Sequence, residues 1–555
     1  MNIAVRLLTA AALSVVSATA VQALPVEKPV PPVQTSSGTV AGLTLPSGVK
    51  AWFGVPFAQP PVGVLRWQPP QPLSWKGVWN ADRKMPECMQ VLRPHDINHY
   101  FGEEATSEDC LYLNIWAPAK ATAASKLPVV VFLYGGGYTI GSSGMASYGG
   151  ESVARNGAVF VNLNYRVGVL GFLSHPELSK EQGGHSGNYA FLDQNAGLRW
   201  VHDNIARFGG DPARVVIMGQ SAGAGSVVQQ LFSPLSKGLF SGAVMSSGCN
   251  WGASAPSLAD GERNGMDIQR RLGVANLAEL RNLPADRIIA AQSENQVGVN
   301  VVAGIRAGAI VDGYFMPRGQ KEILEAKAMN DVPVIASFNK DEAVSALMNA
   351  QSVDEYRGIA RRMYGADADA FLALYPVSSV SDIRATGAKV AREGGLETNA
   401  RTCAQLQAKH NTSKAWIDMF SRRHSYAPGV RIADQDVATV GAYHTADIPF
   451  WFGTLDTFNS LRTTRAWTPA DRDLSQKMMD ALIAFAATGN PSTKDVDWPA
   501  WSASNEVKLE WGGGKAAEIA KLNTAGMDWM SKHPAQRVEA APGTGGSRIG
   551  NGPRD

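Results

Sequence analysis

The segment GQSAGAGSV at 219–227 follows the apolar run RVVIM, and its chemistry turns on one side chain, the hydroxyl of Ser221. A serine hydroxyl is a weak nucleophile until a base takes its proton. The pattern G-x-S-x-G supplies a second requirement, a sharp strand-to-helix turn that exposes the oxygen. Gly219 and Gly223 leave out side chains that would collide where the chain doubles back. The helix that begins there turns backbone dipoles toward any negative charge forming at the turn. A second glycine run, Tyr134-Gly135-Gly136-Gly137-Tyr138, closes the apolar run LPVVVFLY. The N–H groups of Gly136 and Gly137, with that of Ala222, make a candidate oxyanion hole. Together these segments predict acyl transfer by a serine, whereas each alone could be a glycine-rich turn.

Such residues need a scaffold to hold them. Short continuous apolar runs recur at 127–134, 158–166, 214–219, 242–248, 332–338 and 414–420, as buried parallel strands require. Helical patterns separate them, and the clearest spaces Leu192, Ala196, Leu198, Val201 and Ile205 on one face before stopping at Gly209-Gly210. Strand and helix in alternation predict an α/β chain with a central, mostly parallel, twisted sheet covered by helices on both faces. Residues 255–330 and 350–412 read as helical insertions, and 472–489 as a C-terminal helix.

Composition narrows the function. The 555 residues are 45% hydrophobic and carry a formal charge of +2, so no electrostatic field would gather nucleic acid or an anionic membrane. No zinc-type Cys/His spacing appears, and neither metal nor organic cofactor is expected. The N-terminus, with Arg6 ahead of an apolar stretch from Leu7 to Ala20 and Val21-Gln22-Ala23 after it, predicts a secretory signal peptide over 1–23, cleaved after Ala23. Secretion or a periplasmic location follows, with no transmembrane segment once the leader is removed. A Pro-rich lead-in is read at 24–33, a single domain at 34–530 and a disordered tail at 531–555. Export makes disulfides possible, and Cys88 with Cys110, 22 positions apart in a polar segment, is the expected bridge. Cys249 and Cys403 could pair or remain buried thiols.

The stretches FGVPFAQPPVGVLRWQPP, SEDCLYLNIWAP, LYGGGYTIGSS, LNYRVGVLGFL, GNYAFLDQNAGLRWVHDNIARFGGDPARVVIMGQSAGAGS, NKDEA, YHTADIPFWFG and FAATGNPS, in this order, carry a resemblance. The chain resembles the type B carboxylesterases, the cholinesterase/carboxylesterase family of α/β-hydrolases, from about Gln34 to Trp529. The resemblance implies a Ser-His-Glu triad with Ser221 as nucleophile, His444 in GAYHTADIPFWFG as base and Glu342 in FNKDEA as acid. Asp341 is the neighbouring alternative for the acid. The order nucleophile, acid, base also matches an α/β-hydrolase chain. The resemblance further implies two ion pairs, Arg66 with Glu108 and Arg166 with Asp193. The expected substrate is a small-molecule carboxylic ester.

Two departures shape the expected substrate. Where cholinesterases usually carry Glu before the nucleophile, this chain has Gln220, and between Cys88 and Cys110 there is no Trp. Tyr100 and Phe101 are the nearest aromatic substitutes, and Trp251 in SSGCNWG is a candidate for the acyl pocket or a core aromatic. Choline esters are therefore poor candidates. The competing readings are a non-catalytic, neuroligin-like binding ectodomain on the same fold, and a hydrolase specialised for amides or a large polyester-type toxin or lipid.

Overall fold

The apolar runs form the middle of one large sheet. The computed structural model describes residues 28–91, 105–293, 307–522 and 524–536. The leader at 1–23, the start of the Pro-rich lead-in, Tyr100, Phe101 and most of the C-terminal tail lie outside the described residues. In chain order the strands are β1 (Lys28–Pro29), β2 (Leu43–Thr44), β3 (Lys50–Pro56), β4 (Tyr112–Ala117), β5 (Leu127–Leu133), β6 (Val159–Leu163), β7 (Gly210–Gln220), β8 (Gly242–Ser246), β9 (Val334–Asn339), β10 (Ala415–Phe420), β11 (Val507–Trp511) and β12 (Ala517–Lys521). They pair in the order β1-β2-β3-β4-β6-β5-β7-β8-β9-β10-β11-β12. Neighbours from β6 through β11 are parallel, and the strands toward either edge are antiparallel.

The reason the middle is parallel is visible in the burial of its residues. Every residue of β6, β8, β9 and β10 is buried, which requires cover on both faces. Three helices matter for the site. The first is α1 (Tyr189–Asn204), which passes through a short 3₁₀ turn and ends at Gly209, whose φ of 94° only glycine adopts without strain. Next is α2 (Ala222–Phe232), which packs on β7 and β8. The last is α3 (Pro469–Thr488), which packs against β5 and β7 and begins in a capping box between Thr468 and Asp471.

Most buried apolar side chains join one core around the sheet. A second, separate core holds Tyr356, Phe371, Tyr375, Ile383 and Val390, from the helices Val353–Tyr364, Ala368–Leu374 and Val380–Glu393. Among the described residues, the insertions at 255–330 and 350–412 are built mainly of helices, as expected, whereas β4, β11 and β12 are strands that the apolar-run criterion passes over. Ala517-Glu518-Ile519-Ala520-Lys521 holds helix-forming residues, and edge pairing with β11 overrides that preference.

Both cysteine pairs are bridged, Cys88 with Cys110 and Cys249 with Cys403. The second bridge ties the loop after β8 to the helix Leu396–His410. Both ion pairs implied by the resemblance form. Arg66 donates from Nε to Oε1 of Glu108 at 2.6 Å and from Nη2 to Oε2 at 2.5 Å. Arg166 donates from Nε and Nη2 to the two oxygens of Asp193 at 2.8 and 2.7 Å. Burial pushes the Asp193 carboxyl above its ordinary range, against the lowering by Arg166.

Candidate active site

Ser221 stands where β7 ends and α2 begins, with φ 57° and ψ −123°, a backbone conformation that a side chain rarely tolerates. Its N–H is tied to the carbonyl of Ser246 on β8 at 2.8 Å, and its carbonyl receives the N–H of Gly225 at 3.0 Å. The glycines explain how the turn is possible. A Cβ on Gly219 would run into the backbone of Gly223, and one on Gly223 would run into the carbonyls of Leu133 and Tyr134. The elbow therefore presses directly against the end of β5, where the second glycine run begins.

That run is braced from the side. The Tyr134 hydroxyl donates to the carbonyl of Tyr165 at 2.8 Å, the Tyr165 hydroxyl donates to the carbonyl of Tyr134 at 2.5 Å, and the two rings stack 4.1 Å apart. Gly136 and Gly137 follow with φ of 115° and 62°. Among the described residues, the N–H groups of Gly136, Gly137 and Ala222 donate to no other protein group. These are the donors an oxyanion needs.

The structure brings Glu342 and His444 together. His444 Nδ1 lies 2.5 Å from Glu342 Oε2, the glutamate side chain fully buried and the histidine side chain 24% exposed. The other oxygen of Glu342 accepts the Ser247 hydroxyl at 2.8 Å and the Asn339 N–H at 2.6 Å. The neighbouring Asp341 has a different task. Its Oδ2 accepts the N–H of Ala442 at 2.9 Å, so it fastens the loop that carries the histidine.

Behind this layer lies a second buried acid, Asp447, which accepts from Ser246 Oγ at 2.7 Å, Asn339 Nδ2 at 3.0 Å and Trp451 Nε1 at 3.2 Å. Burial pushes its carboxyl above the ordinary range. Asn339 thus spans two acids, its backbone on Glu342 and its side chain on Asp447. Across the loop, His424 Nε2 is 2.8 Å from the carbonyl of Ala446, and Tyr443 OH and Arg465 Nε approach His424 Nδ1 at 3.0 and 3.1 Å. The histidine-bearing loop is therefore held on both sides.

Motif reading misses Ser247, Asn339 and Asp447, because they do no chemistry themselves and have no fixed spacing from the serine. The available signal is positional. Ser246-Ser247 and Asn339 lie at the C-terminal ends of parallel strands, where α/β sheets place their sites.

Gln220, the last residue of β7, is 1% exposed, and its Nε2 lies 3.1 Å from Nε2 of His444. Among the described residues, no hydrogen bond joins the Ser221 hydroxyl to His444. Trp251 is not beside the nucleophile. It is buried edge-on against Phe232, centroids 5.8 Å apart, at the opposite end of α2 from Ser221. Tyr100 and Phe101 lie outside the described residues.

A profile described as the carboxylesterase family matches residues 29–525. The fumonisin B1 esterase of Sphingopyxis macrogoltabida is 35% identical over 487 residues, covering 85% of each chain. The para-nitrobenzyl esterase of Bacillus subtilis (strain 168) is 30% identical over 488 residues, 86% of this chain and 94% of that one. A solved structure of a PNB esterase superposes with a TM-score of 0.72 at 28% identity, covering 90% of this chain and 98% of its own.

Proposed function

The chain belongs to the carboxylesterase family and is a carboxylic ester hydrolase of α/β-hydrolase fold, and from that premise we propose an exported serine esterase that works through Ser221, His444 and Glu342 and an acyl-enzyme. The observation that carries this reading is the contact of His444 Nδ1 with the buried Glu342 carboxylate at 2.5 Å.

In the proposed reaction the Ser221 oxygen attacks the ester carbonyl while His444 Nε2 takes the hydroxyl proton. Negative charge then develops on the carbonyl oxygen, and the N–H groups of Gly136, Gly137 and Ala222 receive it. The carbon–oxygen bond to the alcohol breaks as Nε2 returns the proton to the leaving oxygen. Water attacks the acyl-enzyme with His444 again as base, which frees the acid and restores Ser221. Glu342 orients the ring and balances its transient charge.

The proposed substrate is a neutral or anionic ester. Gln220 places no charge beside the nucleophile, and the segment between Cys88 and Cys110 has no Trp to hold a choline cation. A non-catalytic binding role is set aside, because all three triad residues and the glycines are retained. One observation favours specialisation for a particular ester, namely the likeness to the protein named fumonisin B1 esterase. Export rests on the leader read at 1–23 and is supported by the two disulfides. Among the described residues, no helix is long and apolar enough to cross a membrane.

The test is a panel of p-nitrophenyl esters of increasing acyl length, then aromatic and polycarboxylic esters, with fumonisin B1 as a separate arm. Turnover that vanishes in Ser221→Ala is the expected result. Hydrolysis undiminished in that variant contradicts the proposal, and a preference of fumonisin B1 over every simple ester selects the specialised reading.

A further inference from the structure

We infer that Gln220 is the resting partner of the base: its side-chain amide donates to Nε2 of His444 and holds the ring neutral and uncoupled from Ser221 until substrate arrives. The inference rests on the proposal that His444 is the base.

Glu342 accepts at Nδ1, so the neutral imidazole carries its hydrogen there and presents a lone pair at Nε2. Only a donor can satisfy that lone pair. The amide nitrogen of Gln220 is 3.1 Å away, and among the described residues the Gln220 side chain makes no other hydrogen bond. The side chain is buried at the end of β7, adjacent in sequence to the nucleophile, so the elbow itself fixes its position.

An amide at this position does what a carboxylate cannot. Donation to Nε2 favours the neutral ring, the form that can act as a base, whereas a carboxylate could hydrogen-bond only to the charged ring. When Ser221 attacks, its O–H bond breaks, its oxygen bonds to the carbonyl carbon and the proton goes to Nε2, so the amide must first let go. Rotation of the amide by half a turn then offers Oε1 to the new Nε2–H. One uncharged side chain therefore serves the neutral and the charged ring in turn. The other groups around the histidine loop are Glu342 at Nδ1, Asp341 on the Ala442 N–H, the buried Asp447, Tyr443, and the pair His424 and Arg465. None of them reaches Nε2, so changes at position 220 isolate this contact.

The experiment compares kcat/KM against pH for p-nitrophenyl acetate, read at the isosbestic wavelength, in wild type, Gln220→Met and Gln220→Glu. Met keeps the length and removes the donor, so the acid limb moves to higher pH by roughly half to one unit. Glu stabilises the charged ring and moves the limb up by about 1 to 2 units. A merely structural role would change the rate and leave the limb in place. A Met limb that superposes on wild type overturns the inference, and if the Met variant does not fold, an unmoved Glu limb does so. His444→Ala separates the two levels. Hydrolysis largely retained there contradicts the base itself, whereas superposed limbs in an enzyme that still requires His444 contradict only the role of Gln220.

Discussion

The crest of the sheet and the helical unit at 353–393 are built on different terms. At the crest, Ser221 and the Glu342 and His444 loops rise from β7, β9 and the segment after β10, on strands whose apolar side chains join the main core. The helical unit packs instead around its own small core of Tyr356, Phe371, Tyr375, Ile383 and Val390, joined by Trp529. The two are linked through a 3₁₀ turn at Ala346–Asn349, four residues beyond Glu342, against which Gly387 of the unit makes close backbone contact. The proposed triad thus stands on strands of the main core, whereas the neighbouring insertion has an apolar core of its own.

The largest expected effect tests the crest alone. Glu342→Gln should lower kcat by about 10⁴-fold, because an amide cannot hold the ring in the required tautomer. Asp341→Asn should cost far less, since an amide oxygen can still accept the Ala442 N–H. Steady-state kinetics on both variants decides this, and the reverse ranking would move the acid to Asp341. Next in size is Arg166→Met, which leaves Asp193 buried without its partner and should destabilise the fold by about 3 to 5 kcal/mol in urea denaturation.

On the insertion side, Phe371→Leu keeps most of the packed volume and should lower stability by about 1 kcal/mol, while kcat for p-nitrophenyl acetate stays unchanged. A large fall in kcat there would show that the second core does govern the triad. The smallest effect is expected at the exposed pair Arg472 and Asp456, where Arg472→Ala should change stability by about 0 to 1 kcal/mol.

What could be read before folding follows the same division. The central strands were legible because a strand buried on both faces is apolar along most of its length, and Ser221 was legible because the elbow writes its glycines two positions to either side of the serine. Glu342 and His444 lie more than a hundred residues from the serine and were reached through family resemblance, since no local periodicity brings them together. The Cys249–Cys403 bridge was left open for the same reason, its members being 154 positions apart. Ser247, Asn339 and Asp447 escaped because their contribution is a set of hydrogen bonds that exists only after β8, β9 and the histidine loop are adjacent. Trp251 was left between a pocket and a core role, because closeness in sequence to the crest does not say that its ring packs against Phe232.

Covalent trapping tests Ser221 as the nucleophile most directly. The enzyme is treated with a p-nitrophenyl phosphonate ester, digested, and its peptides are weighed by mass spectrometry. One adduct per chain is expected, on the peptide containing Ser221, formed in step with loss of esterase activity and absent from Ser221→Ala. An adduct on any other residue accompanied by full inactivation would contradict it.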